Sequence, residues 1–199
     1  MLGTKILEER KSRYNGNVKV LRSLGFGTYI QVNNLTQSGG VVESIWRETL
    51  KNLKTKKLKN CLILGLGGGT VAKLIRKYWP ESEITGVEID PMMIELGKKY
   101  LGLNNTKVII QDAYEFIKKN KEKYDLVIVD LYIGDEFPEK FEKEEFLNKL
   151  TKNELVIFNR LYFAEKRKEA VKFGNKLEKI FPKVDWFYPQ ANLMFFCYN

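Results

Sequence analysis

The 199-residue sequence predicts a doubly wound α/β fold, and three observations support this prediction. First, from Cys61 onward short apolar runs alternate with segments of helical periodicity, as in a parallel sheet covered by helices on both faces. Second, runs such as LVIV after Asp125 have no polar face, as expected for strands buried on both sides. Third, a glycine cluster follows the first run, and a carboxylate ends the next one.

The region before the first apolar run predicts a smaller structure. Residues 17–33 show the pattern of a β-hairpin, and residues 34–40 are expected to form a loop. Apolar side chains at spacings of three and four predict a helix over residues 42–53. We therefore expect two parts: a short N-terminal β-hairpin with a helix over residues 1–55, and an α/β domain over residues 56–199.

The α/β domain is predicted to contain seven strands. Pro91 stands at the start of one of its helices, where the missing N–H of proline costs nothing. The last two strands are separated only by the turn PQAN, which predicts an antiparallel hairpin at the end of a mostly parallel sheet. The predicted strands cover residues 61–65, 84–89, 107–111, 125–130, 154–158, 183–188 and 193–198. The predicted helices cover residues 70–79, 91–101, 113–120 and 164–180.

Composition excludes several classes of function. Histidine is absent, so Asp, Glu, Tyr or Lys must perform any acid–base chemistry. Both cysteines lie within apolar runs, which predicts neither a disulfide nor a metal site. No apolar segment approaches about 20 residues, the length of a membrane span. The charged N-terminus also lacks a signal-peptide pattern, so we expect a cytoplasmic protein without a membrane span.

Carboxylates at successive strand ends indicate a nucleoside site. The carboxyl ends of parallel strands meet at one edge of a sheet, so Glu88, Asp112 and Asp130 are expected to lie near the glycine cluster. Glu88 is placed to bind ribose hydroxyls, Asp112 an adenine amino group, and Asp130 the reacting group. The spacing G-x-G-x-x-T, which ends at Thr70, favours a nucleoside with a sulfonium arm over a dinucleotide. The glycine cluster comprises Gly65, Gly67, Gly68 and Gly69.

Five motifs of the sequence form a recognisable set: GLGGGTVAKLIRK, VEIDPMMIELGKKYL, VIIQDAYEFI, YDLVIVD and FYPQANLMFFCY. In these motifs the sequence resembles the spermidine-synthase-like branch of the class I AdoMet-dependent methyltransferase fold. The resemblance implies a Rossmann-like, doubly wound sheet of seven strands and a homodimer. It also implies AdoMet or decarboxylated AdoMet as the bound nucleoside, no metal, and a small-molecule acceptor for which an amine is one candidate.

The same resemblance implies roles for individual residues. Asp130 would align and deprotonate an attacking amine, and Asp135 would substitute for a second aspartate. The implied nucleoside-binding residues are Gly65, Gly67, Gly68, Gly69, Glu88, Ile89, Asp112, Ala113 and Gln37.

Three positions depart from the pattern of aminopropyltransferases. Gly68 stands where an aspartate pairs with the donor's amine, Trp46 replaces a tyrosine, and Ile133 replaces the second aspartate. A cavity with fewer acids is expected to bind a polycation poorly. We therefore expect alkyl transfer, most simply methyl transfer, to a small-molecule acceptor. The alternative is true aminopropyl transfer from decarboxylated AdoMet.

Two further hypotheses stay open. The net charge of +9 is concentrated before residue 61, which is compatible with an RNA methyltransferase that docks through a basic surface. Against it, VDLYIGDEF stands where such enzymes carry a base-binding motif. The other hypothesis is a catalytically silent nucleoside-binding protein, because a fold alone does not establish chemistry.

Overall fold

A computed structural model describes residues 3–53 and 57–199, and its first sheet is a four-stranded antiparallel one in the order β1-β2-β3-β4. The predicted hairpin corresponds to β2 and β3, and the predicted loop after it contains β4. Helix α1, Gly40–Lys51, follows this sheet. The predicted boundary between residues 55 and 56 lies outside the described residues. The strands are β1 Thr4–Ser12, β2 Gly16–Ser23, β3 Gly27–Val32 and β4 Leu35–Gly39.

The second sheet has seven strands in the order β10-β11-β9-β8-β5-β6-β7. Strands β5 to β9 pair in parallel, whereas β11 runs antiparallel to both β9 and β10. This arrangement confirms the predicted mostly parallel α/β fold with a C-terminal antiparallel hairpin. The strands are β5 Asn60–Leu64, β6 Glu83–Glu88, β7 Lys107–Ile110, β8 Leu126–Val129, β9 Leu155–Leu161, β10 Lys183–Phe187 and β11 Asn192–Tyr198.

Helices cover both faces of the second sheet. The segment Gly97–Leu101 continues α3 as a π-helix, and Glu139–Glu142 forms a 3-10 helix. This 3-10 helix and α5 occupy a region for which the sequence predicts no helix. None of the helices in the described ranges is long and apolar enough to cross a bilayer. The remaining helices are α2 Thr70–Tyr78, α3 Pro91–Leu96, α4 Ala113–Lys119, α5 Glu144–Leu150 and α6 Lys166–Leu177.

Alternation along the strands divides the core into two layers. In β5, Leu62 and Leu64 pack into one layer, while Cys61 and Ile63 pack into the other with Trp46 of α1. A third apolar cluster joins the first sheet to α3, through valines of β2 and β3 and the side chains at the end of α3. The first sheet is thereby held beside the carboxyl ends of the parallel strands.

Candidate active site

A cavity of about 370 Å³ lies where the parallel strands end, and β4 and α1 form its other wall. This volume is typical of a small-molecule site. The structure brings most of the predicted site residues together around this cavity. Those that line the cavity are Gly65, Gly67, Glu88, Ile89, Asp112, Ala113, Asp130 and Gln37.

The glycine turn after β5 is fixed to the ends of the neighbouring strands. Gly65 has a φ of 84°, in the left-handed region that favours glycine, and a Cβ there would overlap the backbone oxygen of Asp130. The N–H of Gly67 donates to Oε2 of Glu88 at 2.8 Å. The turn therefore places Asp130, at the end of β8, and the carboxylate of Glu88 next to the same backbone segment.

Two of the predicted glycines do not line the cavity. A Cβ on Gly68 would meet the side chains of Ile30 and Leu101, and a Cβ on Gly69 would meet Leu103. The N–H of Gly68 donates to Oγ of Ser38 at 2.8 Å. These glycines allow the turn to pack closely against its neighbours, and they offer no side-chain position that faces the cavity.

Asp135, which the sequence analysis placed beside Asp130, also lies outside the cavity wall. Its side chain is 57% exposed, and its Oδ2 lies 3.7 Å from Nζ of Lys166. A tight turn after β8, closed by backbone bonds between Ile133 and Glu136, carries it away from Asp130. Proximity in sequence suggested a catalytic pair that the backbone does not form.

The end of the cavity beside β6 and β7 carries Glu88 and Asp112. Burial raises the pKa of Glu88, and the N–H groups of Asp90, Gly67 and Ile89 oppose this rise. Oδ1 of Asp112 accepts the first N–H groups of α4 as an N-cap. Each carboxylate has more lone pairs than these contacts use, so each can accept further hydrogen bonds. This is compatible with the predicted contacts to ribose and adenine.

Sequence analysis missed the ion pair between Lys140 and Asp112. Lys140 belongs to the 3-10 helix after β8, lines the cavity, and donates to Oδ2 of Asp112. The two residues are 28 positions apart, and no local pattern connects them. An adenine amino group that binds Asp112 has to share this oxygen with the ammonium.

Asp130 directly follows β8, is partly buried and accepts a hydrogen bond on each oxygen. The indole N–H of Trp46 donates to Oδ2 at 2.9 Å, and the amide of Asn159 donates to Oδ1 at 2.8 Å. Asn192 donates to Oδ1 of Asn159 at 2.7 Å and so fixes which end of that amide faces Asp130. Burial raises the pKa of Asp130, while the hydrogen bonds from Asn159 and Trp46 oppose the rise.

These features define an α/β protein with a methyltransferase-like fold and a cavity at the carboxyl ends of its parallel strands. The crystal structure of human methyltransferase-like protein 13 in complex with SAH is 23% identical with a TM-score of 0.61, and the match covers 79% of each chain. The crystal structure of spermidine synthase from Thermotoga maritima is 18% identical with a TM-score of 0.76, and the match covers 98% of this chain and 72% of that one. At such identities these likenesses show the fold alone.

The family model of the spermine/spermidine synthase domain matches residues 45–188, and the chain belongs to this family. The polyamine aminopropyltransferase of Sulfurisphaera tokodaii is 33% identical over 139 residues. The match covers 64% of this chain and 46% of that relative, so the chain spans about half of the relative's length. The family resemblance is confirmed, and the comparisons favour the aminopropyl alternative over the expected methyl transfer.

Proposed function

We propose that the chain transfers the aminopropyl group of decarboxylated AdoMet to a primary amine. Family membership and the similarity to a polyamine aminopropyltransferase support this proposal. The main support is the charge and the hydrogen bonding of the described cavity residues, which disfavour a bound carboxylate. AdoMet has a carboxylate and the decarboxylated donor does not, so this property distinguishes the two donors.

Charge in the cavity favours a cationic donor. Among the described residues that line it, the acidic groups are Glu88, Asp112 and Asp130, and the one cationic group, Lys140, is already paired with Asp112. Decarboxylated AdoMet carries a sulfonium and an ammonium, both of which are attracted by this excess of negative charge. The carboxylate of AdoMet would be repelled.

The glycine turn also offers no free donor to a carboxylate. Gly65 and Leu66 both donate their N–H groups to the carbonyl oxygen of Val87, and Gly69 donates to Leu66. The N–H groups of Gly67 and Gly68 are taken by Glu88 and Ser38. A carboxylate placed here would have to displace an existing hydrogen bond, which adds to its cost.

Asp130 supplies the proton acceptor that amine transfer requires. An ammonium has no lone pair, so the acceptor amine must lose a proton before its nitrogen attacks the carbon next to sulfur. The new C–N bond forms as the C–S bond breaks, and the electron pair of that bond stays on sulfur to give neutral methylthioadenosine. Because Trp46 and Asn159 hold both oxygens of Asp130, the carboxylate has a fixed orientation toward the cavity.

The test is to incubate the chain with a panel of primary amines and either donor at equal concentration. We expect methylthioadenosine and an acceptor enlarged by one aminopropyl group, from the decarboxylated donor only. Formation of S-adenosylhomocysteine from AdoMet, with no methylthioadenosine from the other donor, would overturn the proposal in favour of methyl transfer. Nucleoside binding without turnover of either donor would instead support the silent binding protein.

A further inference from the structure

The half of the cavity away from the nucleoside end is formed where β8 and β9 end and β11 begins. Because β8 lies between β5 and β9 in the sheet, Asp130 stands between the nucleoside carboxylates and this second half. If the attacking nitrogen of the acceptor lies beside Asp130, the rest of the acceptor molecule therefore lies in the second half of the cavity. Besides Asp130, its wall includes Val42, Ile133, Asn159, Leu161, Phe163 and Asn192.

This acceptor half contains a single carboxylate among the described residues that line it, and that carboxylate is Asp130. The neighbouring acids are engaged outside the wall. Asp135 and Glu136 both face Lys166, and Glu142 pairs with the buried Arg160 at 2.6 Å. One ammonium can therefore be matched by a negative charge here, and a second one cannot.

The remainder of the acceptor half is apolar or neutral. Ile133, Leu161 and Phe163 present hydrocarbon surface, and Ile133 and Phe163 are 57% and 36% exposed. Apolar groups that are partly exposed in an empty cavity gain by being covered with another apolar group. A second ammonium in the same place would lose part of its hydration and meet only neutral groups, with no carboxylate to compensate.

From this distribution of charge we infer that the acceptor is a primary monoamine with an apolar body, and that diamines and polyamines are poor acceptors. The inference rests on the proposed aminopropyl transfer and names the substrate class of the same site. One end of the acceptor is fixed by Asp130, and its apolar body lies along Ile133, Leu161 and Phe163.

A matched pair of substrates tests the inference directly. n-Pentylamine and 1,4-diaminobutane have the same number of non-hydrogen atoms and differ only in a terminal methyl group in place of a second amine. We expect kcat/KM for n-pentylamine to exceed that for 1,4-diaminobutane by about tenfold or more, because the second ammonium is left without a carboxylate partner. Production of methylthioadenosine measures both reactions.

A variant that supplies the absent charge should reverse this preference. Ile133→Asp places a carboxylate at the wall opposite the apolar body, so 1,4-diaminobutane should become the better acceptor. Ile133→Asn has nearly the same shape without the charge and serves as the matched control. Ile133→Asn should lower kcat/KM for n-pentylamine as Ile133→Asp does, but it should not raise kcat/KM for 1,4-diaminobutane.

The outcomes distinguish a failure of the monoamine inference from a failure of the proposed aminopropyl transfer. Methylthioadenosine formed with 1,4-diaminobutane at a kcat/KM equal to or above that of n-pentylamine would overturn the monoamine inference and leave aminopropyl transfer intact. The absence of methylthioadenosine with every amine, by the unmodified chain and both variants, would overturn the proposed function itself. An unchanged preference in Ile133→Asp, in a variant that still turns over n-pentylamine, would also count against the inference.

Discussion

Trp46 and Asp130 are joined by a hydrogen bond of 2.9 Å, in which the indole N–H donates to the carboxylate. The sequence identifies Trp46 only as a residue that replaces a tyrosine. In the structure it is fully buried and holds one oxygen of Asp130, while Asn159 holds the other. The tryptophan therefore contributes to the site as a donor that stabilises the ionised carboxylate.

Replacing Trp46 should move the pH dependence of turnover. In Trp46→Phe the donor is lost, so the pKa of Asp130 rises further above its ordinary value. Because the ionised form accepts the proton, the acid limb of the kcat/KM profile should move to higher pH. Trp79→Phe, at the end of α2 and outside the cavity wall, is the matched control. Identical acid limbs in the two variants would contradict this role for Trp46.

Removing the Asp130 carboxylate should separate chemistry from binding. Asp130→Asn has no group that can take the amine proton, and we expect kcat to fall by roughly 10²–10⁴-fold, the usual contribution of a general base. Affinity for methylthioadenosine, measured by calorimetry, should stay within a few-fold. Glu88→Gln should show the opposite behaviour, because an amide has a single oxygen and cannot accept from both Gly67 and Asp90 as the two carboxylate oxygens do. Equal loss of affinity in both variants would argue against this division of roles.

The pKa of Asp130 also predicts a pH-dependent stability. Burial raises this pKa above the ordinary value of 3.8, so the folded chain holds the proton more tightly than the unfolded chain. The stabilisation is fully present below the unfolded pKa and is lost as pH rises through the folded pKa. The free energy of unfolding of the unmodified chain, minus that of Asp130→Asn, should therefore fall with increasing pH over this window. A difference that does not change with pH would be the contrary result.

Gly65 should tolerate no side chain. Gly65→Ala forces a left-handed backbone on alanine, at about 1–2 kcal/mol, and in addition overlaps the backbone of Asp130. Gly102→Ala is the matched control, because Gly102 also has a positive φ, 73°, but has open space around it. Chemical denaturation should show a clearly larger loss of stability for Gly65→Ala. Equal losses would mean that the turn moves away from β8 at little cost.

The ion pair between Lys140 and Asp112 should oppose binding of an adenine amino group at Asp112. In Lys140→Met, Oδ2 of Asp112 is released from the ammonium, so methylthioadenosine should bind several-fold more tightly. Lys119→Met, at the end of α4 and outside the cavity wall, controls for the change in net charge. Weaker binding in Lys140→Met than in the control would indicate that Lys140 contacts the nucleoside itself.

Features that depend on neighbouring residues could be predicted from the sequence. The glycine turn and the acids at or just after the ends of β6, β7 and β8 follow from short patterns and from the geometry of parallel strands. Gly68 and Asp135 show the limit of this reasoning, because each lies in the expected segment but is directed away from the cavity.

Features that depend on long-range pairing could not be predicted. Asn159 and Asn192 are 33 positions apart on adjacent strands, and each stands at an edge of a strongly apolar run.

Strand β1 could not be predicted for another reason. Most of its side chains are at least partly exposed and several are charged, so it lacks the apolar alternation that identifies a half-buried strand.

Two buried hydrogen bonds connect the end of β4 to the glycine turn and the start of α2: Gly68 N–H to Oγ of Ser38, and Gly39 N–H to Oγ1 of Thr70 at 2.7 Å. Separation of the two sheets would break both bonds at once. We therefore expect the amide hydrogens of Gly39 and Gly68 to exchange with deuterium only through complete unfolding, at the same free energy. Substrates would then enter past Ile133 and Phe163 while the sheets stay together.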